Sequence, residues 1–490
     1  MKVNSLQKRE EKLEKKLKKE EKKKNNKSNR EFAIVAYCFI AIFVAMIGYI
    51  VYFQVFKAED IINNSYNKRH ELFASRMIRG DIVSAEGDVL ATTKVSESGK
   101  ETRYYPHGNM YAHAVGYCEN GTTGVEEQAN FSLLRTHSFI GNQIYNMLTE
   151  KKNKGDTVVT TLKSKLQSVA YNALGSFNGA VVAIDPSNGR ILAMVSKPDF
   201  DPNDVKEGYE DIISNDSVLL NRATQGSYTP GSTFKIFTTL EYLKEHGSDA
   251  AYTYNCTGQI SMDGTTVHCY GNEVHGQLDL EHAFAESCNC AYANMGLNLN
   301  ISEFQKMTKK MLFNSALPIE YPYTKSSFSL SKDSSTASIM MGSFGQDQIT
   351  VSPMHLAMVA AAIENNGMLM KPYVIDHVEN DAGDIVTETE REEYRNLLSK
   401  NNAKVMQKLM EATVNYGTAT ALQSSKYKAA GKTGSAQVSD SSDDTHSWFV
   451  GYANRSSGKD LAIAVIVEKQ GNGSRYAVPI AKKVFDAYFD

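Results

Sequence analysis

The sequence predicts an α+β protein in which an antiparallel sheet is flanked by helices, behind a smaller strand-bearing region and one membrane-spanning helix. Three observations carry that expectation. Residues 32–56 are apolar without a single charge. Strand-like runs stand at both ends of the stretch 155–490, so one sheet closed by both ends is expected. The segment between those runs, about 232–420, shows mostly helical spacing broken by loops.

Composition narrows the class before any motif is read. The chain has 490 residues, 42% hydrophobic and 22% charged, with a net charge of -3, which fits a globular protein and excludes a generally basic nucleic-acid binder. Six cysteines in such a length are no disulfide scaffold. The charge is unevenly placed, however: residues 1–30 hold thirteen Lys/Arg against five Asp/Glu, so the remainder is acidic.

Taken in order, residues 1–31 read as a basic tail, a solvated helix drawn to anionic lipid. Residues 32–56, FAIVAYCFIAIFVAMIGYIVYFQVF, are long enough at about 1.5 Å per residue to cross about 30 Å of hydrocarbon. No small-residue cleavage site follows, so an anchor is expected rather than a removed signal peptide. The positive-inside rule then puts the N-terminus in the cytoplasm and everything after Lys57 outside. Residues 57–150 form a first region with short strands at Asp81–Ser84 and Val89–Thr92, and the polar stretch 151–156 reads as a boundary. In 155–490 the apolar spacing of Leu162, Leu166, Val169, Ala170 and Leu174 predicts a helix. Strands are expected at 179–184, 190–196, 430–438, 447–452 and 461–468, with a last helix near 476–488.

The chemistry-bearing residues sit within this frame. In Ser232-Thr233-Phe234-Lys235, Pro230-Gly231 breaks the chain and an apolar helical run follows, so Ser232 is expected at a helix N-terminus, where unpaired N–H groups favour negative charge on its oxygen. Lys235 lies one turn on, within reach of that oxygen, and a serine needs such a base to become a nucleophile. The spacing alone is weak: Ser5/Lys8, Ser65/Lys68, Ser329/Lys332, Ser425/Lys428 and Ser456/Lys459 share it, and an N-cap serine is the ordinary reading. Two further motifs, Ser287-Cys288-Asn289 and Lys432-Thr433-Gly434, complete an ordered set.

That set resembles the penicillin-binding proteins and class A β-lactamases. Asn221-Arg222-Ala223, Phe344-Gly345-Gln346, Thr350 to Ala357 and His446 to Tyr452 are similar to the same family. In the first region, Arg79-Gly80-Asp81-Ile82 and Gly121 to Glu127 resemble the non-catalytic pedestal of class B, monofunctional penicillin-binding proteins. The resemblance implies a peptidoglycan D,D-transpeptidase of cell-wall synthesis, with pedestal and transpeptidase domains at 57–150 and 155–490. Ser232 would attack the carbonyl between the two terminal D-alanines of a stem peptide, with Lys235 as base and Ser287 as proton relay. Asn289 would hold the substrate amide, Lys432 and Thr433 its terminal carboxylate, and Gly434 would let its backbone approach. The backbone N–H groups of Ser232 and Ser435 would form the oxyanion hole. The family more often has Thr at position 435; the backbone donor is the same.

β-Lactams are implied as inhibitors, a membrane-embedded glycan-polymerising glycosyltransferase as partner, and D,D-carboxypeptidase as a side activity; no nucleic acid, cofactor or metal is assigned. A β-lactamase or β-lactam sensor on the same fold, or a morphogenetic scaffold with vestigial activity, are the rivals. Cys256 and Cys269 bracket a polar segment and are the candidate disulfide. With His268 or His275 they could instead hold a metal, as zinc is held in some elongation-type relatives, or stay free thiols. Cys288 and Cys290 read as packing residues beside Asn289, and His446 as structural.

Overall fold

The computed structural model describes residues 3–56, 77–214, 217–437, 444–456 and 458–490. The start of the first region, 57–76, and Val438 of the expected strand lie outside the described residues. The chain divides into two compact units, Met1–Asn67 and Lys68–Asp490. In the first, the basic tail and the apolar run form one continuous helix, α1 (Val3–Phe56). Its segment Phe32–Phe53 is 22 residues long with a mean hydropathy of 2.6, long and apolar enough to cross a membrane.

The second unit contains, in chain order, β1 (Ile82–Val83), β2 (Val89–Val95), β3 (Glu101–Tyr104) and β4 (Thr157–Thr160), then α2 (Ser164–Leu174), β5 (Gly179–Ile184) and β6 (Ile191–Lys197). Next come α3 (Lys235–His246), the short strands β7 (Thr253–Cys256), β8 (Gln259–Met262), β9 (Thr265–His268) and β10 (Gly276–Asp279), and the helices α4 (Asn289–Leu297) and α5 (Pro353–Glu364). The strands β11 (Ile375–Glu379) and β12 (Ile385–Glu388) precede β13 (Lys428–Gln437), β14 (Thr445–Arg455), β15 (Lys459–Val467) and α6 (Ala477–Phe489).

The main sheet is antiparallel in the order β13-β14-β15-β5-β6, so strands from both ends of the larger region meet as expected. It is covered on both faces, which is why its strands read as continuous apolar runs rather than alternating ones. Ala180, Val182 and Ile184 turn toward a cluster holding the buried helix α5, whereas Val181 and Ala183 turn toward one holding Leu166 and Ala170 of α2 with Val484 and Phe485 of α6. A one-residue slip would exchange these faces, so the register is strongly specified.

Two expectations are corrected. The middle segment is not simply helical: β7 pairs with β10 and β8 with β9. The β8–β9 hairpin turns on Asp263-Gly264, both at positive φ (46° and 80°), the Asp-Gly signal of a two-residue hairpin loop. Nor does the first region's sheet stop at residue 150: it runs β12-β11-β4-β1-β2-β3 and so takes three strands from the larger region.

The Arg79 and Glu126 motifs meet in this first region. Glu126, fully buried, receives Arg79 Nε at 2.6 Å on one carboxylate oxygen and Arg103 Nε at 2.7 Å on the other. Arg103 also donates to the Gly80 carbonyl at 2.6 Å. Two cations hold one carboxylate, and their charge keeps its pKa below the ordinary value despite burial, which pushes the other way. Replacing Glu126 by Gln would leave two guanidinium groups without their counter-charge. The expected cost in unfolding free energy of the full chain in urea is about 3–5 kcal/mol; a change under about 1 kcal/mol would contradict a structural role for the triad.

Candidate active site

The turn that carries Ser232 is fixed from three sides. Upstream, Glu468 just past β15 accepts Arg222 Nε at 2.8 Å and Tyr228 Oη at 2.7 Å. Gly231, at φ 54°, donates its N–H to the Gly345 carbonyl at 2.9 Å. Thr233 Oγ1 closes the turn on the Pro230 carbonyl at 2.8 Å. Ser232 therefore lies in a single 3-10 turn, Gly231–Phe234, that feeds directly into α3.

Lys235 opens α3 and is wholly buried. Its Nζ donates to the Ser287 carbonyl at 2.5 Å, Ser287 Oγ at 3.1 Å and Asn289 Oδ1 at 2.8 Å, so the first two motifs meet on one nitrogen. Burial pushes its pKa down to about 8. Ser287 holds φ 61°, a left-handed conformation that is costly for a non-glycine residue and is here over-determined by Lys235 and by the α4 N-terminus that follows.

The third motif stands on β13, an edge strand, with Lys432 opposite Val450, Gly434 opposite Trp448 and Ser435 opposite Ser447. Lys432 is wholly buried, and desolvation together with the charge of Lys235 holds its pKa well below the ordinary lysine value. Thr433 Oγ1 lies 2.5 Å from Thr418 Oγ1. A Cβ on Gly434 would meet Thr233, the Pro230 carbonyl oxygen and Trp448 at 3.0–3.1 Å, so packing inside the protein already favours glycine there.

Ser232, Ser287, Asn289, Thr433, Gly434 and Ser435 line one open cavity of about 350 Å³. Lys235 and Lys432 are not among its lining residues; Lys235 is joined to it through Ser287 and Asn289. Sequence reasoning missed Thr418, Tyr270, Glu286, Asn472 and Ser474 in the same wall, and quoted Gln346 without a role. The Asn472-Gly473-Ser474 loop follows β15 and carries no spacing signal of its own. His446 is structural: its ring packs edge-on against Tyr228, and Nδ1 accepts the Lys469 N–H at 3.3 Å.

Of the three states left open for Cys256 and Cys269, the structure has the free thiols. Cys256 and Cys269 are unbonded free thiols, 3.7 Å apart. Cys288 and Cys290 converge on them, at 3.6 and 3.3 Å from Cys269, and His275 Nδ1 lies 3.5 Å from Cys256 Sγ. His268 instead offers its backbone carbonyl to Asn289 Nδ2 at 3.2 Å. Four cysteines and a histidine within 35 residues were visible in the sequence; that they share one point was not.

Comparison with known proteins gives a consistent result. Residues 179–486 match the penicillin-binding protein transpeptidase domain, and residues 79–158 the dimerisation domain of penicillin-binding protein A. A peptidoglycan D,D-transpeptidase, PbpA, of Mycolicibacterium smegmatis is 30% identical over 89% of this chain and 94% of its own. Penicillin-binding protein 3 of Bacillus subtilis is 28% identical over 84% of this chain and 66% of its own. The crystal structure of penicillin-binding protein A from Mycobacterium tuberculosis is similar with a TM-score of 0.77 and 25% identity, covering 84% of this chain and all of that one. Its ceftriaxone acyl-enzyme complex has a TM-score of 0.78 at 25% identity, covering 86% of this chain and 100% of that one.

A Cβ on Gly345, whose φ is 80°, would lie 2.2 Å from the Gly231 carbonyl oxygen and 2.5 Å from Phe234 Cβ. At Gly383, φ 83°, it would meet nothing within 4 Å. Gly345→Ala should therefore lower thermal stability well beyond Gly383→Ala, which bears only the backbone cost of about 1 kcal/mol. Equal melting temperatures for the two variants would contradict the close contact at the Ser232 turn.

Proposed function

The chain belongs to the penicillin-binding protein transpeptidase family, and on that premise we propose that it cross-links peptidoglycan stem peptides through an acyl-enzyme formed on Ser232. It is a penicillin-binding peptidoglycan D,D-transpeptidase. The observation that supports Ser232 as nucleophile is the convergence of all three motifs on one cavity, with Lys235 Nζ bonded to both Ser287 and Asn289.

In this mechanism neutral Lys235 takes the Ser232 Oγ proton as the oxygen attacks the penultimate D-alanine carbonyl. The backbone N–H groups of Ser232 and Ser435 receive the developing oxyanion. The C–N bond then breaks; the departing D-alanine amine takes the proton back by way of Lys235 and Ser287, and an ester on Ser232 remains. A second stem-peptide amine attacks that ester, closes the cross-link and restores the Ser232 hydroxyl. Asn289 orients the donor amide, Thr433 binds its terminal carboxylate, and Gly434 leaves room for its backbone.

Lys432 supports the carboxylate: burial and the charge of Lys235 hold its pKa well below the ordinary lysine value, and a substrate carboxylate beside it favours its charged form.

The Lys/Arg excess before the apolar helix supports a single-pass anchor with its N-terminus in the cytoplasm and the pedestal (57–150) and transpeptidase (155–490) regions outside. Cross-linking at that face requires freshly polymerised strands, and a membrane-embedded glycosyltransferase is the partner this chemistry calls for.

Intact mass of the full chain in detergent, followed with benzylpenicillin, tests the nucleophile. A single persistent adduct that is lost in Ser232→Ala is expected; an undiminished adduct in that variant would overturn the assignment, and rapid drug turnover would point to a β-lactamase. The base has its own test. Because the neutral form of Lys235 is the active one and its pKa is about 8, the acylation rate should rise about tenfold per pH unit below 8 and level off above it. A rate that falls through that range would contradict a lysine base.

A further inference from the structure

The helix Ile140–Leu148 in the pedestal region is turned the wrong way round for a surface in water. None of its residues is buried. Phe139, Ile140, Ile144, Tyr145, Met147 and Leu148 are 49–75% exposed. The i, i+4, i+7, i+8 spacing of Ile140, Ile144, Met147 and Leu148 puts those four on one face. The half-buried side chains are polar instead: Gln143 Nε2 donates to the Ser138 carbonyl at 2.7 Å, and Asn146 Nδ2 to Asn153 Oδ1 at 2.8 Å. A surface helix ordinarily buries its apolar stripe, and a contiguous apolar face left outside marks a site of interaction. A groove of about 420 Å³ runs beside this face, walled by Ile140, Ile144 and Met147 and by residues 150–153.

Two observations identify the occupant. The first is charge. In a chain of net charge -3, residues 135–154 carry Arg135, Lys151, Lys152 and Lys154 against one acid, Glu150. All four basic residues are exposed, although Lys152 also meets Glu101 at 2.7 Å and Lys154 meets Asp81 at 2.6 Å. An apolar face with aromatic residues, flanked by cations on flexible stems, suits the headgroup layer of a bilayer, where the cations meet lipid phosphates. The second is the path of the chain. Met77 and Ile78, the first residues described after the anchor, pair in parallel with Asn153 and Lys154, just past this helix. Residues 54–76 are all that joins them to the spanning segment Phe32–Phe53. A helix of nine residues binds lipid weakly by itself, but a tether in the same bilayer makes the second contact intramolecular, so weak affinity suffices.

We propose that the helix Ile140–Leu148, with Phe139 before it and Lys151, Lys152 and Lys154 after it, lies in the anionic headgroup layer of the membrane that holds the anchor. It is a second attachment, which limits how the pedestal swings on its tether. The proposal rests on the single-pass anchor reading; acyl transfer on Ser232 plays no part in it.

The test uses the full chain in nanodiscs of phosphatidylethanolamine and phosphatidylglycerol, one chain per disc. The chain has a single tryptophan, Trp448, wholly buried in the main sheet, so the wild type supplies the fluorescence baseline. Leu148→Trp should add emission that brominated acyl chains quench and aqueous iodide does not. Met262→Trp, exposed beside the turn of the β8–β9 hairpin, should respond the opposite way. Adding Ile144→Glu to Leu148→Trp, or exchanging phosphatidylglycerol for phosphatidylcholine, should reduce the bromine quenching. Emission from Leu148→Trp that iodide quenches and bromine does not would overturn the proposal, as would equal bromine quenching of both variants. Shielding that appears only in discs holding two chains would give the face to a second copy instead. Bromine quenching indifferent to phosphatidylglycerol would overturn the part assigned to the lysines. Flotation with vesicles of the same lipids reports on the anchor separately: a chain that does not float overturns the anchor reading and this proposal with it, whereas a floating chain with an iodide-open helix overturns this proposal alone.

Discussion

The buried amine of Lys235 is the constraint on which the site depends. An ammonium group taken out of water must be met by hydrogen-bond acceptors, and those on offer are the Ser287 carbonyl, Ser287 Oγ and Asn289 Oδ1. Satisfying that one nitrogen joins the turn after Gly231 to the turn before α4, and so links two motifs more than 50 residues apart. The same burial lowers the pKa toward the range where a lysine can accept a proton. Structure and reactivity therefore have one cause, desolvation of a side chain that the fold cannot release.

The sheet gives this arrangement its rigidity. Strand β13 presents the third motif from an edge, and its partner β14 is buried on both faces almost throughout. Glu468, just past β15, holds Arg222 and Tyr228, so the Ser232 turn is referenced to the same sheet that carries Lys432 to Ser435. Small movements of one part are resisted by the other, which suits chemistry that needs an oxygen and two backbone donors held in fixed relation.

How far the sequence showed this depends on the physical signal each part leaves. The five sheet strands and helices α2 and α6 were legible because burial on both faces writes long apolar runs and 3.6-residue spacing directly into the chain. The polar hairpins between Thr253 and Asp279 were not: their strands are four residues long and half exposed, and only Asp263-Gly264 marked a turn. The addition of β11 and β12 to the first region's sheet is a pairing across more than 200 residues that no local pattern encodes. Ser232, Lys235, Ser287, Asn289 and the Lys432 strand were found because motif order survives without knowledge of distance. Thr418, which meets Thr433 in the cavity wall, and the convergence of Cys288 with Cys256 and Cys269 required the fold.

The central claim concerns transfer of an acyl group from Ser232 to an amine. It is tested most directly by following the full-length chain with a D-Ala-D-Ala-terminated donor and an acceptor amine, counting released D-alanine and cross-linked product together by mass spectrometry. The account predicts one D-alanine released for each cross-link formed, with both lost in Ser232→Ala. Release of D-alanine without cross-links in the presence of acceptor, or cross-linking that persists in Ser232→Ala, would contradict it.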